Sequence, residues 1–199
     1  MLLVNFSRIS FGNPELQGAR IVLRPPEMAA WKEWATLRMA SREFLAPWEP
    51  MWSTKALSRA HFRRYLRIQH RDAQAGKSMP YFVYRRDDEK LIGSITVGNI
   101  QRGASQKCSV GYWIGGAYSR LGFMTESLNC ILRYCIYSLG LNRVEAACMP
   151  ENIASRALLN RCGFKREGYA RKLFEINSIW EDHVLFAVVA EDYIKNNPS

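Results

Sequence analysis

Between Ser109 and Gly140 the spacing of apolar residues changes period once, and that change constrains the fold more than any other feature of the chain. Ser109 to Ile114 reads as a strand, whereas from Gly122 onward Met124, Leu128, Ile131, Leu132, Cys135, Ile136 and Leu139 recur at helical spacing until Gly140 stops the pattern. Arg143 to Cys148 then reads as a strand again. Strands on both sides of a single helix imply a parallel crossover inside a sheet.

The remaining segments fit the same sheet. Ala19 to Leu23 reads as a strand stopped by Pro25-Pro26, Glu27 to Ala40 as a helix, and Ser58 to Ala75 as a second helix ended by Gly76, with Phe44 to Pro50 an irregular loop between them. Tyr81 to Arg85, Leu91 to Asn99 and Ser109 to Ile114 are separated by turn-like segments and predict an antiparallel meander. Asn152 to Cys162 predicts a short helix closed by Gly163, followed by strands Phe164 to Ile176 and Ile179 to Val189 around Asn177-Ser178. The expected order is βααβββαβαββ, an α/β (α+β) chain with a mixed sheet.

At 199 residues the chain suits one domain, with an arm over residues 1–18, a core over 19–193 and a tail over 194–199. No apolar run reaches the roughly 18–20 residues of a membrane-spanning helix, and the start lacks the layout of a signal peptide. The expectation is a soluble, cytoplasmic protein. Cys108, Cys130, Cys135, Cys148 and Cys162 form no CxxC pair and are odd in number, which predicts reduced, buried thiols. His61, His70 and His183 offer no HExxH spacing, so no metal is expected. The net charge of +10 favours an anionic partner: nucleic acid, an anionic membrane or a polyphosphate cofactor.

Tyr112 to Ser127 is the most informative segment. A strand ends in Gly115-Gly116 and a loop feeds a helix near Gly122, whose unpaired N–H groups and partial positive charge suit a phosphate, with Arg120 adding charge. From these residues alone a pyrophosphate site and a merely tight turn stand side by side.

Further along come Pro150-Glu151-Asn152-Ile153-Ala154-Ser155, Leu158 to Phe164 and Glu167-Gly168-Tyr169. With the glycine loop, these segments resemble the cofactor-binding core of the GNAT superfamily of N-acetyltransferases, and the element order matches across about residues 19–193. That resemblance implies a mixed, mostly antiparallel sheet flanked by helices, with one parallel βαβ crossover at the cofactor site. It also implies acetyl-CoA as cofactor, held by Ser119, Arg120, Leu121, Gly122, Phe123 and Met124 at the pyrophosphate. Asn152 and Ser155 would lie beside the pantetheine, and Trp113 and Ile114 would offer backbone groups to the pantetheine and thioester. The family loop is usually Gln/Arg-x-x-Gly-x-Gly/Ala; only its central glycine, Gly122, is kept. Phe44 to Pro50, Asn99 to Gly103 and Trp180 to Val184 are similar to the RimJ-type ribosomal-protein alanine N-acetyltransferases. This closer resemblance implies transfer of acetyl to the N-terminal amine of a ribosomal protein, with Trp48, Glu49 and Asn99 along the acceptor groove.

The implied reaction is direct attack of a neutral amine on a thioester. Neutralising an α-amine at pH 7 costs roughly 1 kcal/mol and a lysine roughly 4.6 kcal/mol, from their ordinary pKa values. An N-terminal acceptor therefore needs little basic help. Glu49, in the aromatic loop, is the first base expected, with a salt bridge or cap as the plain alternative. Glu175 is second, since the family position aligns with Phe174 and neighbouring strand residues face opposite ways. Ser155 takes the implied role of acid for the leaving thiolate, with helix capping as the alternative. Asp182 and His183 are read as structural, since adjacent strand residues cannot easily relay to each other.

The helix over Ser58 to Ala75 puts Phe62, Tyr65, Leu66 and Ala73 on one stripe and Arg59, Arg63, Arg67, His70 and Arg71 on its neighbour. A solvated face and a surface docking rRNA or an acidic protein both fit. Two rival functions remain at this level: acetylation of a small amine, polyamine or antibiotic, and a basic RNA-binding or assembly factor without catalysis. The sequence does not fix monomer or dimer.

Overall fold

A computed structural model describes residues 13–197. In chain order these form β1 (Leu16–Gln17), β2 (Ile21–Arg24), α1 (Trp31–Ala40), α2 (Arg42–Leu45), α3 (Arg59–Gln74), β3 (Met79–Arg85), β4 (Leu91–Gln101) and β5 (Lys107–Ile114). There follow α4 (Phe123–Arg133), β6 (Arg143–Cys148), α5 (Ile153–Arg161), β7 (Lys165–Ile176), β8 (Ile179–Val189) and α6 (Ala190–Asn196). The expected elements are present, and the order gains β1, α2 and α6. Residues 1–12 of the expected arm lie outside the described residues; Leu16–Gln17 pairs with β2, and Ile194 to Asn196 of the expected tail belong to α6.

One eight-stranded sheet runs β1-β2-β3-β4-β5-β6-β8-β7, with every neighbouring pair antiparallel except β5 and β6. Successive strand residues turn to opposite faces and so build two cores. Tyr81 and Val83 join Leu128, Ile131 and Leu132 of α4 in the larger one, while Phe82 joins Trp34 of α1 and Phe62 of α3 in the smaller. Each fully buried leucine or isoleucine of α4 contributes about 1.5–3 kcal/mol, far more than the tenths that separate helix propensities, so burial decides that this segment is a helix. Its last turn, Tyr134–Ser138, widens to π spacing and carries Cys135 and Ile136 into the core. Four of the five cysteines are buried and Cys130 is half-buried; all are free thiols.

Phe44 to Pro50 departs from the expected irregular loop, since α2 is followed by a 3-10 turn over Ala46–Trp48. Pro47 caused the misreading: its fixed φ breaks a helix from within but suits a first turn, where it stands here.

The parallel pairing of β5 with β6 covers only Lys107–Ser109 against Arg143–Glu145, tied by Lys107 of β5 to Glu145 of β6. Beyond it both strands continue, β5 to Ile114 on β4 and β6 to Cys148 on β8, without pairing to each other. The middle of the sheet therefore opens into a cleft.

Candidate active site

The edges of this cleft are set by backbone alternation. Gly115 N–H donates to Ile92 O at 2.8 Å, and β5 opposes β4 in the register Gly93 to Ile114 and Ser94 to Trp113. Antiparallel partners alternate between bonded and unbonded pairs. Gly111, Trp113 and Gly115 thus turn their main chains to β4, and Tyr112 and Ile114 turn theirs into the cleft. Of the two expected residues, Ile114 has its main chain in the cleft, while Trp113 spends its main chain on β4 and packs its ring in the α1–α3 core.

At the mouth of the cleft the chain turns through Gly115-Gly116 into the loop Ser119 to Gly122. Gly115 lets α1 pack closely on the turn, since a Cβ there would lie 2.5 Å from Leu37 Cδ1 and push that side chain aside. Gly116 N–H donates to the buried Ser41 hydroxyl at 3.0 Å, which fastens the α1–α2 corner to the turn. Arg120 and Gly122 both have positive φ, 61° and 86°. The glycine takes that conformation without strain. The first backbone bond of α4 is Glu126 N–H to Gly122 O, and no side chain caps the helix. The N–H groups of Phe123, Met124 and Thr125 have no partner among the described residues. Arg120 is exposed and without a carboxylate partner among them, and Leu121 is exposed beside it. Sequence reasoning missed Arg20, which lies over the Phe123 ring at 4.8 Å, donates to Leu121 O and neutralises Glu126 in the first turn. Three free amides at a helix start, with two arginines beside them, fit a diphosphate.

α5 flanks the same cleft. Asn152 is its cap, the side-chain oxygen accepting Ser155 N–H at 3.0 Å. The Ser155 hydroxyl is therefore not used in capping. It lies 2.8 Å from the Tyr112 hydroxyl. Burial pushes the Tyr112 phenol well above its usual range, with the Ser155 hydrogen bond partly opposing this. Burial also raises the Cys148 thiol at the end of β6. Period-two alternation over Cys108, Val110, Tyr112 and Ile114 was the available signal for Tyr112, since it places that ring on the α4–α5 face.

On the other face, Arg38 of α1 holds Glu49 through two hydrogen bonds of 3.0 and 2.5 Å, and Trp52 Nε1–H donates to Glu49 at 2.9 Å. The guanidinium is 4.3 Å from the Trp52 ring, 4.9 Å from Trp113 and 5.9 Å from Trp34. The two charged side chains are 13% and 19% exposed, so solvent screens the pair weakly. No sequence signal marks Arg38 or Trp52. Glu49 O accepts Asn177 N–H at 3.2 Å, docking the segment after Trp48 on the tip of the β7–β8 hairpin. Phe174 and Trp180 are half-exposed on that hairpin. Glu175, opposite Trp180, is exposed and unpaired among the described residues. Asn99 is elsewhere: it bonds Ser109 at 2.9 Å, five residues back from Ile114 along β5, roughly 16 Å at strand rise. The structure thus groups Trp48 and Glu49 but sets Asn99 at the paired end of the strand.

Asp182 and His183 do not bond each other. Asp182 accepts from Lys172 N–H and from the Tyr169 hydroxyl, which lower its pKa in that order, while buried His183 pairs Nδ1 with Glu181 O at 3.0 Å and meets Phe174 edge-on. Among the described residues no group of three His, Cys, Asp or Glu side chains is placed to hold a metal ion, and no helix is long and apolar enough to cross a membrane.

A cleft with free amides on one edge, a hydroxyl pair on one face and an aromatic, carboxylate-bearing wall on the other is built to hold an extended anionic ligand and meet it with a second reactant. A family model described as "Acetyltransferase (GNAT) domain" matches residues 20–165. A probable N-acetyltransferase of Bacillus subtilis, YjcK, is 30% identical over 89% of this chain and 98% of its own length. The [ribosomal protein uS5]-alanine N-acetyltransferase of Escherichia coli is 32% identical over 77% of this chain and 79% of its own. Among solved structures, Mycobacterium smegmatis RimJ in complex with CoA-disulfide superposes with a TM-score of 0.87 at 28% identity, covering 95% of this chain and 91% of that one.

Proposed function

This chain belongs to the GNAT acetyltransferases, and on that premise we propose that it transfers the acetyl group of acetyl-CoA to the N-terminal α-amine of a ribosomal protein. The observation that carries the reading is the parting of β5 from β6 beside the uncapped start of α4. Acetyl-CoA, when bound, supplies an acyl group activated as a thioester. The amides of Phe123, Met124 and Thr125, with Arg120 and Arg20, hold the diphosphate; Ser119, Leu121 and Gly122 shape the loop that presents them. Tyr112 and Ile114 offer main-chain groups to the pantetheine, Asn152 orders the start of α5, and the Ser155 hydroxyl faces the sulfur.

The acceptor enters along Trp48 and the hairpin tip. Glu49, with both oxygens taken by Arg38 and Trp52, shapes the wall. Glu175 is the carboxylate free to accept the amine proton, directly or through water. The wall is aromatic and Glu49 on it is already neutralised by Arg38, which leaves Glu175 as the single free carboxylate of this wall among the described residues and suits a peptide terminus better than a polyamine or an aminoglycoside. Arg59, Arg63, Arg67 and Arg71 of α3 extend the acceptor side as a contact for rRNA. Arg63, Arg67, His70 and Arg71 line one groove, and Arg59, Arg63 and Arg67 pair with no carboxylate among the described residues.

Thiol release from acetyl-CoA, measured with peptides copied from ribosomal-protein N-termini, tests the reading. A peptide beginning with alanine is turned over at least tenfold faster than the same peptide with a blocked terminus and a free lysine; faster turnover of spermidine or an aminoglycoside sinks it. Reversing Arg63 and Arg67 to glutamate leaves peptide kinetics unchanged and flattens the salt dependence of RNA binding by a slope of about 2.

A further inference from the structure

Ser155 has one proton to give and two lone pairs to fill. Its backbone N–H is satisfied by Asn152, so its hydroxyl serves something other than the helix start. The only oxygen that the hydroxyl meets among the described residues is that of Tyr112, at 2.8 Å across the cleft. If Ser155 donated to Tyr112, it would have no proton left for anything in the cleft. A phenol is a far stronger acid than an aliphatic alcohol, so the better-matched bond runs from Tyr112 O–H to Ser155 Oγ. The ring is also half-buried on the α4–α5 face, where an ionised phenolate is disfavoured, so Tyr112 keeps its proton. The Ser155 proton is then free to turn into the cleft.

We propose that Tyr112 is a positioning residue that donates its hydrogen bond to Ser155, so that the Ser155 O–H points at the thiolate sulfur as the carbon–sulfur bond breaks. The inference rests on the acetyl-CoA reading above. Nitrogen forms the new bond to the carbonyl carbon, the carbon–sulfur bond breaks and its electron pair stays on sulfur. The proton that finally reaches that sulfur is the one lost by the attacking amine, relayed through water. Tyr112 and Ser155 keep theirs and stabilise the anion by hydrogen bonding. Successive donors in such a chain polarise one another, which makes Ser155 the stronger donor while Tyr112 is in place.

The test needs no acceptor. Coenzyme A is bound to the full chain and its thiol titrated by thiolate absorbance, with affinity measured separately by calorimetry. The bound thiol titrates at least half a unit lower in the wild type than in Tyr112→Phe, Ser155→Ala matches Tyr112→Phe, and the double variant is no higher than Ser155→Ala. Equal titration in wild type and Tyr112→Phe, or additive effects in the double variant, overturns the proposal. Failure of coenzyme A to bind removes the cofactor reading and this proposal together, whereas binding with an unshifted thiol removes this proposal alone. In turnover, Tyr112→Phe lowers kcat about tenfold, the equivalent of one hydrogen bond of about 1.4 kcal/mol, and leaves the KM for acetyl-CoA unchanged. Should Tyr112→Phe fail to fold by circular dichroism, 3-fluorotyrosine at position 112 replaces it: the same shape with a more acidic hydroxyl lowers the bound thiol further, and no change overturns the idea.

Discussion

The two sides of the cleft recognise their ligands with different parts of the chain. On the α4–α5 side the groups offered are mainly backbone: the free amides of Phe123, Met124 and Thr125, and the main chains of Tyr112 and Ile114. On the α1–hairpin side they are side chains, with Arg38 fixed among Trp34, Trp52 and Trp113 and holding Glu49, whose own carbonyl docks the hairpin. A backbone site survives replacement of most of its side chains, because the donors belong to the fold; a side-chain site changes specificity with single substitutions. The loop from Ser119 to Met124 keeps only Gly122 of the usual family pattern and still presents an uncapped helix start.

The sharpest way to break this contrast is Arg38→Ala. It leaves Glu49 largely buried with only Trp52 Nε1–H as partner and its charge uncompensated, a loss on the order of 2–3 kcal/mol, so kcat/KM for the peptide falls about a hundredfold while coenzyme A affinity stays within twofold. Equal losses in both would show that the two sides are one mechanical unit. Gly122→Ala is the reciprocal change. An alanine at φ 86° is strained by about 1–2 kcal/mol, and its Cβ would press on Arg20 at 3.1 Å. Calorimetry then records about tenfold weaker coenzyme A binding, with the peptide KM unchanged.

A smaller effect separates the two sides in alkali. Burial pushes the Cys162 thiol, on the α4–α5 side, up to about 11 from an ordinary 9.0, and the Tyr65 phenol of α3 up to about 12 from 10.0. Both groups bind their protons more tightly folded than unfolded, so their contribution is complete below the unfolded pKa and lost as pH rises toward the folded one. Urea midpoints therefore hold steady from pH 6 to 8, begin to fall near pH 9 and fall more steeply from 10 to 12. Cys162→Ala weakens the first part of the fall, which buried Cys148 and Cys135 share, and Tyr65→Phe weakens the second. A midpoint that rises over this range would contradict the assignment.

Much of the fold was legible because its signals are local. The boundaries of β6 and β8, the helix starts at Ser58 and Asn152, and the change of period at Gly122 lie in runs whose apolar spacing matches one element only. The helical turns around Pro47 were not legible, since a proline ends a helix or opens one according to its neighbours. Sequence also marked Ser155, but with two roles in competition; only the partners, Asn152 on its amide and Tyr112 on its hydroxyl, separate them. Asn99 shows the converse: a motif likeness placed it in the acceptor groove, and the structure sets it near the end of β4, bonded to Ser109 of β5.

By itself, then, the sequence determined the elements, their order, the parallel crossover and the glycine at a left-handed turn, because hydrophobic period and backbone sterics act over a few residues. The tertiary structure alone decided which groups face one another across the cleft: where β5 leaves β6, that Arg38 takes Glu49, and that Tyr112 reaches Ser155. Those pairings join residues distant in the chain, and hydrogen bonds need distances correct to a few tenths of an ångström, which only packing of the whole sheet against its helices fixes.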